Sequence, residues 1–218
     1  MHTILSPKYK LHVRPDTCDE LVCGEIERSY KLLNLQRSDV VLDVGANIGA
    51  FSAWAAPKVE KVIGYEPDLE NFQLFHMNTL NFDNVMGFRV ALLGDDTPEV
   101  EFFTNDSGRN KGLHSLVVQR GRGSYHVPAM NLHREIARHQ PSKLKIDTEG
   151  GEYHMLLDHS IHECVKAIAL EIHLQKKEWR YDKAPRLIEQ LEAQFPIIRH
   201  KAVITDKTRA LLGVYARE

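Results

Sequence analysis

Four ionisable side chains stand at the ends of two apolar segments, in a pattern that can carry acid–base chemistry. The stretch "LKIDTEG" contains Asp147 and Glu149, and "AIALEIH" ends with Glu171 and His173. Residues two apart on a strand share one face, so the members of each pair point the same way while the strand persists. If the two strands are neighbours in a sheet, all four groups converge at one edge.

Three functions fit this convergence of Asp147, Glu149, Glu171 and His173. In the interpretation that we adopt for the sequence, the cluster orients and deprotonates a substrate hydroxyl, with His173 or Asp147 as the base, and no metal is assigned. Alternatively, the cluster binds a divalent cation that polarises the substrate oxygen, and oxygen ligands suit magnesium. In the third interpretation the cluster only braces the site through hydrogen bonds. Glu152, an acid in the first turn of the next helix, is expected to stabilise that helix.

A glycine-containing loop follows the apolar run "VVLDV" and reads Gly45-Ala46-Asn47-Ile48-Gly49. It is not the triphosphate-binding pattern G-x-x-x-x-G-K-[ST], because no lysine follows the second glycine. It is also a poor dinucleotide fingerprint, because Asn47 stands where G-x-G-x-x-G needs a glycine for close approach of a pyrophosphate. A different ligand is therefore predicted for this loop.

Two acids flank the loop and narrow the choice of ligand. Asp43 precedes Gly45 at the end of the apolar run, where a carboxylate would repel a pyrophosphate but suits an ammonium group. Glu66 ends the next apolar run, where a carboxylate can accept both hydroxyls of a ribose. Together they predict an amino acid joined to a nucleoside. S-adenosylmethionine is such a ligand, and it also carries a sulfonium.

Apolar and helical segments alternate along the chain, which indicates an α/β fold with a mostly parallel sheet and helices on both faces. The predicted strands span residues 39–44, 61–66, 85–93, 99–105, 114–119, 143–147 and 167–173. The predicted helices span residues 18–34, 48–56, 68–80, 131–139, 151–160 and 184–195. The segments "IIRHKAV" and "ALLGVYA" predict a C-terminal antiparallel hairpin, which is common on such sheets. In open α/β sheets ligands bind beyond the carboxyl ends of the strands, where the loop and the four groups fall.

The length and composition predict a single domain with its own core. A chain of 218 residues with 43% hydrophobic residues is long enough for one ordinary domain and short for two. Residues 39–218 are expected to form the catalytic domain. Residues 1–38 are expected to form a helical extension that covers the sheet or the site.

The charge balance and the lengths of the apolar runs limit the kinds of partner that the protein is expected to bind. The 28 Lys and Arg residues against 30 Asp and Glu residues give a net charge of −2, with no global attraction for nucleic acid or anionic membrane. No apolar run approaches the roughly 20 residues that span a bilayer, and the start lacks the apolar core of a signal peptide. Three cysteines without a zinc-type pair fit reduced thiols in a cytoplasmic protein. The basic stretch "QRGRGSYH" (119–126) could meet phosphate, although a solvated loop is the preferred expectation.

Five stretches of the sequence together resemble the FkbM family of methyltransferases. They are "VLDVGANIGAFS", "VIGYEPD", "VPAMNLHREI", "LKIDTEGGEYHML" and "ALEIH". The resemblance covers roughly residues 16–175, and the combination of D-x-G-A-N-x-G with K-I-D-x-E-G is specific. It implies a class I, S-adenosylmethionine-dependent fold, with O-methylation as the typical reaction.

The resemblance also implies roles for particular residues. The residues that would wrap the methionine part of the cofactor are Asp43, Gly45, Ala46, Asn47 and Gly49. Glu66 would take the ribose, Pro67 would shape the turn after it, and Ala91 would lie near the adenine. The family's usual E-G-A-E is Glu149-Gly150-Gly151-Glu152 here, so the next helix starts after two glycines.

Three function classes remain after these steps. The first is an O-methyltransferase acting on a small molecule, a sugar or a natural-product scaffold. The second is a methyltransferase acting on RNA or another macromolecule, with the basic stretch against phosphate. The third is a catalytically silent nucleoside-binding module. The near-neutral charge favours a small-molecule or glycan acceptor over nucleic acid, and the intact strand-end acids argue against the third class.

Overall fold

The computed structural model describes residues 2–104, 123–174, 180–203 and 210–218, in which strands and helices alternate. The strands are β1 (Ile4–Leu5), β2 (His12–Val13), β3 (Val40–Val44), β4 (Lys61–Tyr65), β5 (Val85–Phe88), β6 (Ala91–Leu93), β7 (Glu99–Phe103), β8 (Ser124–Asn131), β9 (Lys143–Ile146), β10 (Ala167–His173), β11 (Ile197–Val203) and β12 (Ala210–Ala216). The helices are α1 (Asp19–Tyr30), α2 (Ala50–Ala55), α3 (Leu69–Thr79), α4 (Leu132–His139), α5 (Glu152–Leu156) and α6 (Arg180–Gln194). Short 3-10 turns at Lys31–Leu33 and Ala56–Lys58 extend α1 and α2.

The central sheet has the strand order β11-β12-β10-β9-β3-β4-β5. Strands β10, β9, β3, β4 and β5 run parallel. Strand β12 runs antiparallel to both of its neighbours and forms the C-terminal hairpin with β11. The predicted α/β class and the hairpin are confirmed. Strands β9 and β10 are direct neighbours, as convergence of the four ionisable groups requires.

Helices cover both faces of the sheet because its central strands are apolar on both sides. Leu42 of β3 packs in one core cluster with Ile136 of α4 and Leu187 of α6. Val41, the preceding residue on the same strand, faces the other way and packs with Ile26 of α1. Burial on both sides fixes the register of β3 and therefore the position of the loop that follows it.

Side-chain caps set the starts of two helices beside the site. Asp68 precedes α3 and accepts a hydrogen bond from the Asn71 N–H at 2.9 Å. Asn131 precedes α4 and accepts one from the His133 N–H at 2.8 Å. Such caps satisfy backbone donors that a helix leaves free in its first turn.

The predicted single strand over residues 85–93 was wrong, because two strands with different partners occupy this segment. Strand β5 pairs with β4 in the central sheet, whereas β6 pairs with β8 in a separate sheet of order β6-β8-β7. Strand β8 was not predicted. The apolar composition continues through residues 85–93, so only the change of pairing partner marks the break. The predicted strand at 114–119 lies outside the described residues, as does residue 105 of the strand predicted at 99–105.

The N-terminal segment lies on the face of the sheet that α2 and α3 also cover. Ile26 and Tyr30 of α1 are buried in the core cluster of that face. Arg14 pairs with Asp19 at 2.9 Å and donates to the Asn71 side chain at 2.8 Å, which ties the segment to α3. Within the described part of the chain, no helix is long and apolar enough to cross a bilayer.

Candidate active site

A cleft opens beyond the carboxyl ends of β3, β4 and β9 and holds about 580 Å³ of empty space, its open mouth included. The lining residues come from the strand ends and the loops that follow them. They are Val44, Gly45, Asn47, Tyr65, Glu66, Pro67, Asn71, Val90, Ala91, Leu92, Phe102, Asp147, Thr148 and Glu149.

The loop after β3 turns so tightly that its first position requires glycine. Gly45 has φ +75°, and a Cβ placed there would lie 1.8 Å from the carbonyl oxygen of Asp147. The N–H groups of Gly45 and Ala46 both donate to the carbonyl oxygen of Tyr65 at 3.0 Å. Gly49, with φ +82°, ends the loop and starts α2. The loop backbone therefore lies directly against the ends of β4 and β9.

Glu66 lies buried where β4 ends, and both of its carboxylate oxygens accept backbone N–H groups. Oε2 accepts from Asn47 at 2.8 Å and Oε1 from Asp68 at 2.9 Å. Burial raises the pKa of Glu66 to about 7, although these backbone hydrogen bonds act in the opposite direction. Glu66 and Pro67 both line the cleft, so the side chain expected to hold a ribose faces it.

Asp43 lies beneath the loop, and its carboxylate contacts protein groups. It is fully buried, accepts a hydrogen bond from Ser52 Oγ at 2.7 Å and lies 3.1 Å from Lys145 Nζ. Lys145 Nζ also donates to the carbonyl oxygen of Gly45 at 2.6 Å. Among the described residues Asp43 is not part of the cleft lining, so it supports the loop through Lys145. Burial alone would lower the pKa of Lys145, but Asp43 and Asp147 outweigh it and raise that pKa.

One side of the cleft is apolar. Val90, Ala91 and Leu92 line it, together with Phe102 from β7. The Phe102 ring packs edge-on against Tyr125, with centroids 5.6 Å apart. Ala91, which the resemblance expects near the adenine, is one of these apolar lining residues. Phe102 was missed, because it belongs to a predicted extra strand and nothing in its surroundings marks a ligand contact.

The four predicted strand-end groups converge around His173. Its Nε2 lies 3.5 Å from Glu149 Oε1, 3.9 Å from Asp147 Oδ1 and 4.0 Å from Glu171 Oε2. Asp147 and Glu149 line the cleft, whereas the His173 side chain behind them is only 2% exposed. The side chains from β10 thus stand behind those that follow β9.

The surrounding acids decide the charge of His173 in this arrangement. Burial by itself lowers the pKa of His173, but the carboxylates of Glu149 and Glu152 outweigh it and raise the pKa well above 6.5. Burial also raises the pKa of Asp147 and of Glu171, and neighbouring carboxylates add to this effect. A protonated imidazole donates hydrogen bonds and cannot accept a proton. The raised pKa therefore favours a ring that braces the cluster by donating hydrogen bonds to the carboxylates.

Glu152 contributes a contact that the sequence analysis missed. This side chain is fully buried, and its Oε1 lies 2.6 Å from Nδ1 of His173. The sequence suggested only a role in the first turn of α5. The pairing depends on how α5 packs against β10, and the local pattern "GGE" carries no signal of that packing.

Comparisons with known proteins identify the family of this chain. Residues 43–199 match the family described as the methyltransferase FkbM domain, so the chain belongs to the FkbM methyltransferase family. No curated protein matches the sequence significantly.

Several solved structures of methyltransferases share the fold at low identity. An rRNA methylase from Streptococcus thermophilus has a TM-score of 0.54 at 12% identity, covering 88% of this chain and 95% of that one. A precorrin-6Y C5,15-methyltransferase from Geobacter metallireducens has a TM-score of 0.52 at 14% identity, covering 99% and 97%. The methyltransferase FkbM from Methylobacillus flagellatus has a TM-score of 0.50 at 17% identity, covering 91% of this chain and 51% of that one. This chain thus spans about half of the Methylobacillus protein.

Proposed function

We propose that this chain transfers a methyl group from S-adenosylmethionine to a hydroxyl group of a small molecule, a sugar or a natural-product scaffold. One observation carries the proposal. A single cleft holds a buried acid, Glu66, beside a close-approach loop, and a second acidic group, Asp147 and Glu149, beyond it. Glu66 and the loop suit a nucleoside, whereas Asp147 and Glu149 suit a cation and an acceptor hydroxyl.

The residues of the cleft fit the cofactor. A carboxylate offers about four lone-pair sites; Glu66 uses two of them for backbone N–H groups and also accepts a hydrogen bond from the Asn71 side chain, which leaves a site for a ribose hydroxyl. Asn47 Oδ1 is buried without a hydrogen-bond partner among the described residues and can accept one from a ligand. The apolar side around Ala91 and Phe102 suits a purine ring. These features support Glu66 as the ribose ligand.

The chemistry assigns separate tasks to the cofactor and the protein. S-adenosylmethionine supplies an electrophilic methyl carbon whose bond to sulfur breaks, with the electron pair staying on the sulfur. The acceptor oxygen forms the new carbon–oxygen bond and loses its proton. Asp147 lies at the cleft to accept that proton, with Glu171 and His173 behind it. Alignment of the reacting atoms contributes much of the rate, because the electrophile is already activated.

The nature of the acceptor is tested by a screen for products. The purified protein is incubated with S-adenosylmethionine and pools of sugars, small hydroxylated molecules and RNA, and mass spectrometry detects added methyl groups. We expect methylation in a small-molecule or sugar pool. Methylation of RNA alone, with binding that weakens steeply as salt is raised, would establish the macromolecular alternative. Cofactor binding with no product from any pool would indicate a silent nucleoside-binding module.

A variant separates catalysis from cofactor binding. Asp147→Asn keeps the shape of the side chain and removes its charge, so turnover should fall by roughly 10²–10⁴-fold, the range for a lost general base. The exposed Asp158, which pairs with Arg186, supplies the matched control Asp158→Asn. Turnover in Asp147→Asn equal to that of the control would remove Asp147 from the reaction.

A further inference from the structure

We propose that Asp147, Glu149 and His173 form a binding site for one divalent transition-metal ion at the acceptor end of the cleft. The binding step stands on the geometry of these three residues. Only the role of the ion, holding the acceptor oxygen, rests on the proposed methyl transfer.

The three side chains already present their ligand atoms to a common point. One atom from each, a carboxylate oxygen of Asp147 and of Glu149 and a ring nitrogen of His173, lies within 4.8 Å of the other two. Bonds of about 2.0–2.2 Å to a shared ion place ligand atoms roughly 3–4.4 Å apart. A small inward movement of the two half-buried carboxylates is therefore enough to close the site.

The orientation of His173 is an independent sign of a ligand. Nδ1 is held by the fully buried Glu152 at 2.6 Å, so Nε2 is the nitrogen that points toward the carboxylates. Nε2 lies 3.5 Å from Glu149 Oε1 and 3.9 Å from Asp147 Oδ1, so both carboxylates stand on its side of the ring. Metal-binding histidines commonly donate their other nitrogen to a carboxylate, which fixes the tautomer and the ring. Glu152 and His173 form such a pair.

The excess of carboxylates around His173 also favours binding of a cation. Carboxylates of Asp147, Glu149, Glu152 and Glu171 all lie within 4.0 Å of the imidazole nitrogens. The nearby cation of Lys145 is already paired with Asp43 and bonded to the Gly45 carbonyl. Buried charges of one sign are costly unless they are paired. A divalent ion on Nε2, in the place of a proton, offsets this excess.

The donor set defines the class of ion. Two carboxylates and one imidazole suit first-row ions such as Mn²⁺, Fe²⁺, Co²⁺ or Zn²⁺ better than Mg²⁺ or Ca²⁺, which prefer oxygen ligands. Asp147 and Glu149 line the cleft, so the remaining coordination positions open toward it. An ion there would make a bound acceptor hydroxyl more acidic. With Asp147 engaged as a ligand, the proton would pass to water at the open mouth of the cleft, and the acceptor oxygen would keep the electron pair for the methyl carbon.

Binding of Mn²⁺ tests the site without any assay of activity. The chain, stripped of metal by a chelator, is titrated with Mn²⁺ while electron paramagnetic resonance counts the free ion, and Mg²⁺ is added as a competitor. We expect one Mn²⁺ per chain that Mg²⁺ displaces poorly. Glu149→Gln removes a direct ligand, and Glu152→Gln, which loosens the ring of His173, should weaken binding about 10–100-fold. The exposed-acid variant Asp158→Asn should bind as the wild type does.

Two further measurements separate the possible failures. Thermal melts establish that each variant is folded, and Asp147→Asn, at a half-exposed position, provides a second ligand variant if Glu149→Gln is unstable. Calorimetry with S-adenosylhomocysteine reports on the cofactor site alone. Intact S-adenosylhomocysteine binding with no saturable Mn²⁺, Co²⁺ or Zn²⁺ binding would overturn the metal site and leave the proposed function standing. Metal binding that survives Glu149→Gln and Asp147→Asn would place the ion elsewhere and overturn it as well.

Discussion

Replacing Glu66 by alanine tests the assignment of the cofactor end of the cleft. In the free protein the two oxygens of Glu66 accept the N–H groups of Asn47 and Asp68, at 2.8 and 2.9 Å. Glu66 also accepts a hydrogen bond from the Asn71 side chain and lines the cleft, where a ribose hydroxyl would donate to its remaining acceptor site. Glu66→Ala removes this acceptor while the apolar side of the cleft and the glycine loop stay in place.

The expected loss follows from the number and kind of hydrogen bonds. Hydrogen bonds to charged groups contribute about 1.5–3 kcal/mol. The upper part of that range is reduced because the free carboxylate, with a pKa of about 7, is only partly ionised near neutral pH. Half ionisation at pH 7 lowers the effect about twofold, so we expect Glu66→Ala to weaken binding of S-adenosylhomocysteine by roughly 6–80-fold in Kd.

The pH dependence gives this prediction a second, sharper signature. Burial raises the pKa of Glu66 to about 7, and the ionised carboxylate is the stronger acceptor for a ribose hydroxyl. Below that pKa the carboxyl must first lose a proton, so affinity falls as pH falls. Because the ionised fraction rises from about one tenth at pH 6 to about nine tenths at pH 8, the wild-type affinity should rise about tenfold over this interval. In Glu66→Ala this dependence should disappear.

Titration calorimetry with S-adenosylhomocysteine measures both effects. The matched control is Glu60→Ala, which removes an exposed acid just before β4, at the opposite end of the same strand. Thermal melts of both variants check that the fold persists. An unchanged Kd in Glu66→Ala would refute the ribose assignment, and tight binding of NAD without binding of S-adenosylhomocysteine would refute the cofactor itself.

The glycine loop and the buried ion pair give two further predictions. Gly45→Ala should abolish S-adenosylhomocysteine binding and lower the melting temperature, because its Cβ would lie 1.8 Å from the Asp147 carbonyl oxygen. The control is Gly24→Ala, where the added carbon meets only the end of one side chain. A fully active Gly45→Ala would contradict the close approach. Lys145→Met leaves the buried charge of Asp43 without its partner and should destabilise the fold by about 3–5 kcal/mol in urea denaturation. Adding Asp43→Asn should recover part of this loss, and strictly additive effects would show that the two side chains do not interact.

The parts of the fold that could be predicted are those with a local cause. Strand β3 is buried on both faces, so it appears in the sequence as a short apolar run bounded by a polar residue and a glycine. The C-terminal hairpin was predicted because two apolar segments of equal length are joined by a short polar stretch. Strand β10 has the predicted bounds, Ala167–His173, and lies beside β9 as expected.

The parts that could not be predicted depend on distant partners. Strands β5 and β6 lie in one apolar run, and only their pairing with β4 and β8 separates them. Strand β8 is largely exposed and contains Pro128, so it shows neither the apolar run of a central strand nor regular alternation. Its place is set by contact with β7, to which it pairs antiparallel.

The candidate site divides in the same way. Residue type and spacing were enough to bring Asp147, Glu149, Glu171 and His173 together, because strand ends in a parallel sheet meet at one edge. The partner of His173 was hidden, since Glu152 reaches it only through the packing of α5 against β10. The pairing of Asp43 with Lys145 was also not predicted. Nothing in the sequence indicates that the side chain of Lys145, two residues before Asp147, lies under the loop.

The acids at neighbouring strand ends have three different kinds of partner group. This difference favours one orientation of a cationic ligand in the cleft. Glu66 is met by two backbone N–H groups, and Asp43 is met by Lys145. Asp147 and Glu149, by contrast, face the cleft, with the His173 imidazole behind them. A cationic group entering the cleft therefore gains most at the end of β9. Under the proposed function, the negative charge at the end of β9 attracts the sulfonium toward the acceptor end, while Glu66 holds the ribose. The charge distribution therefore orients the methyl group toward the acceptor.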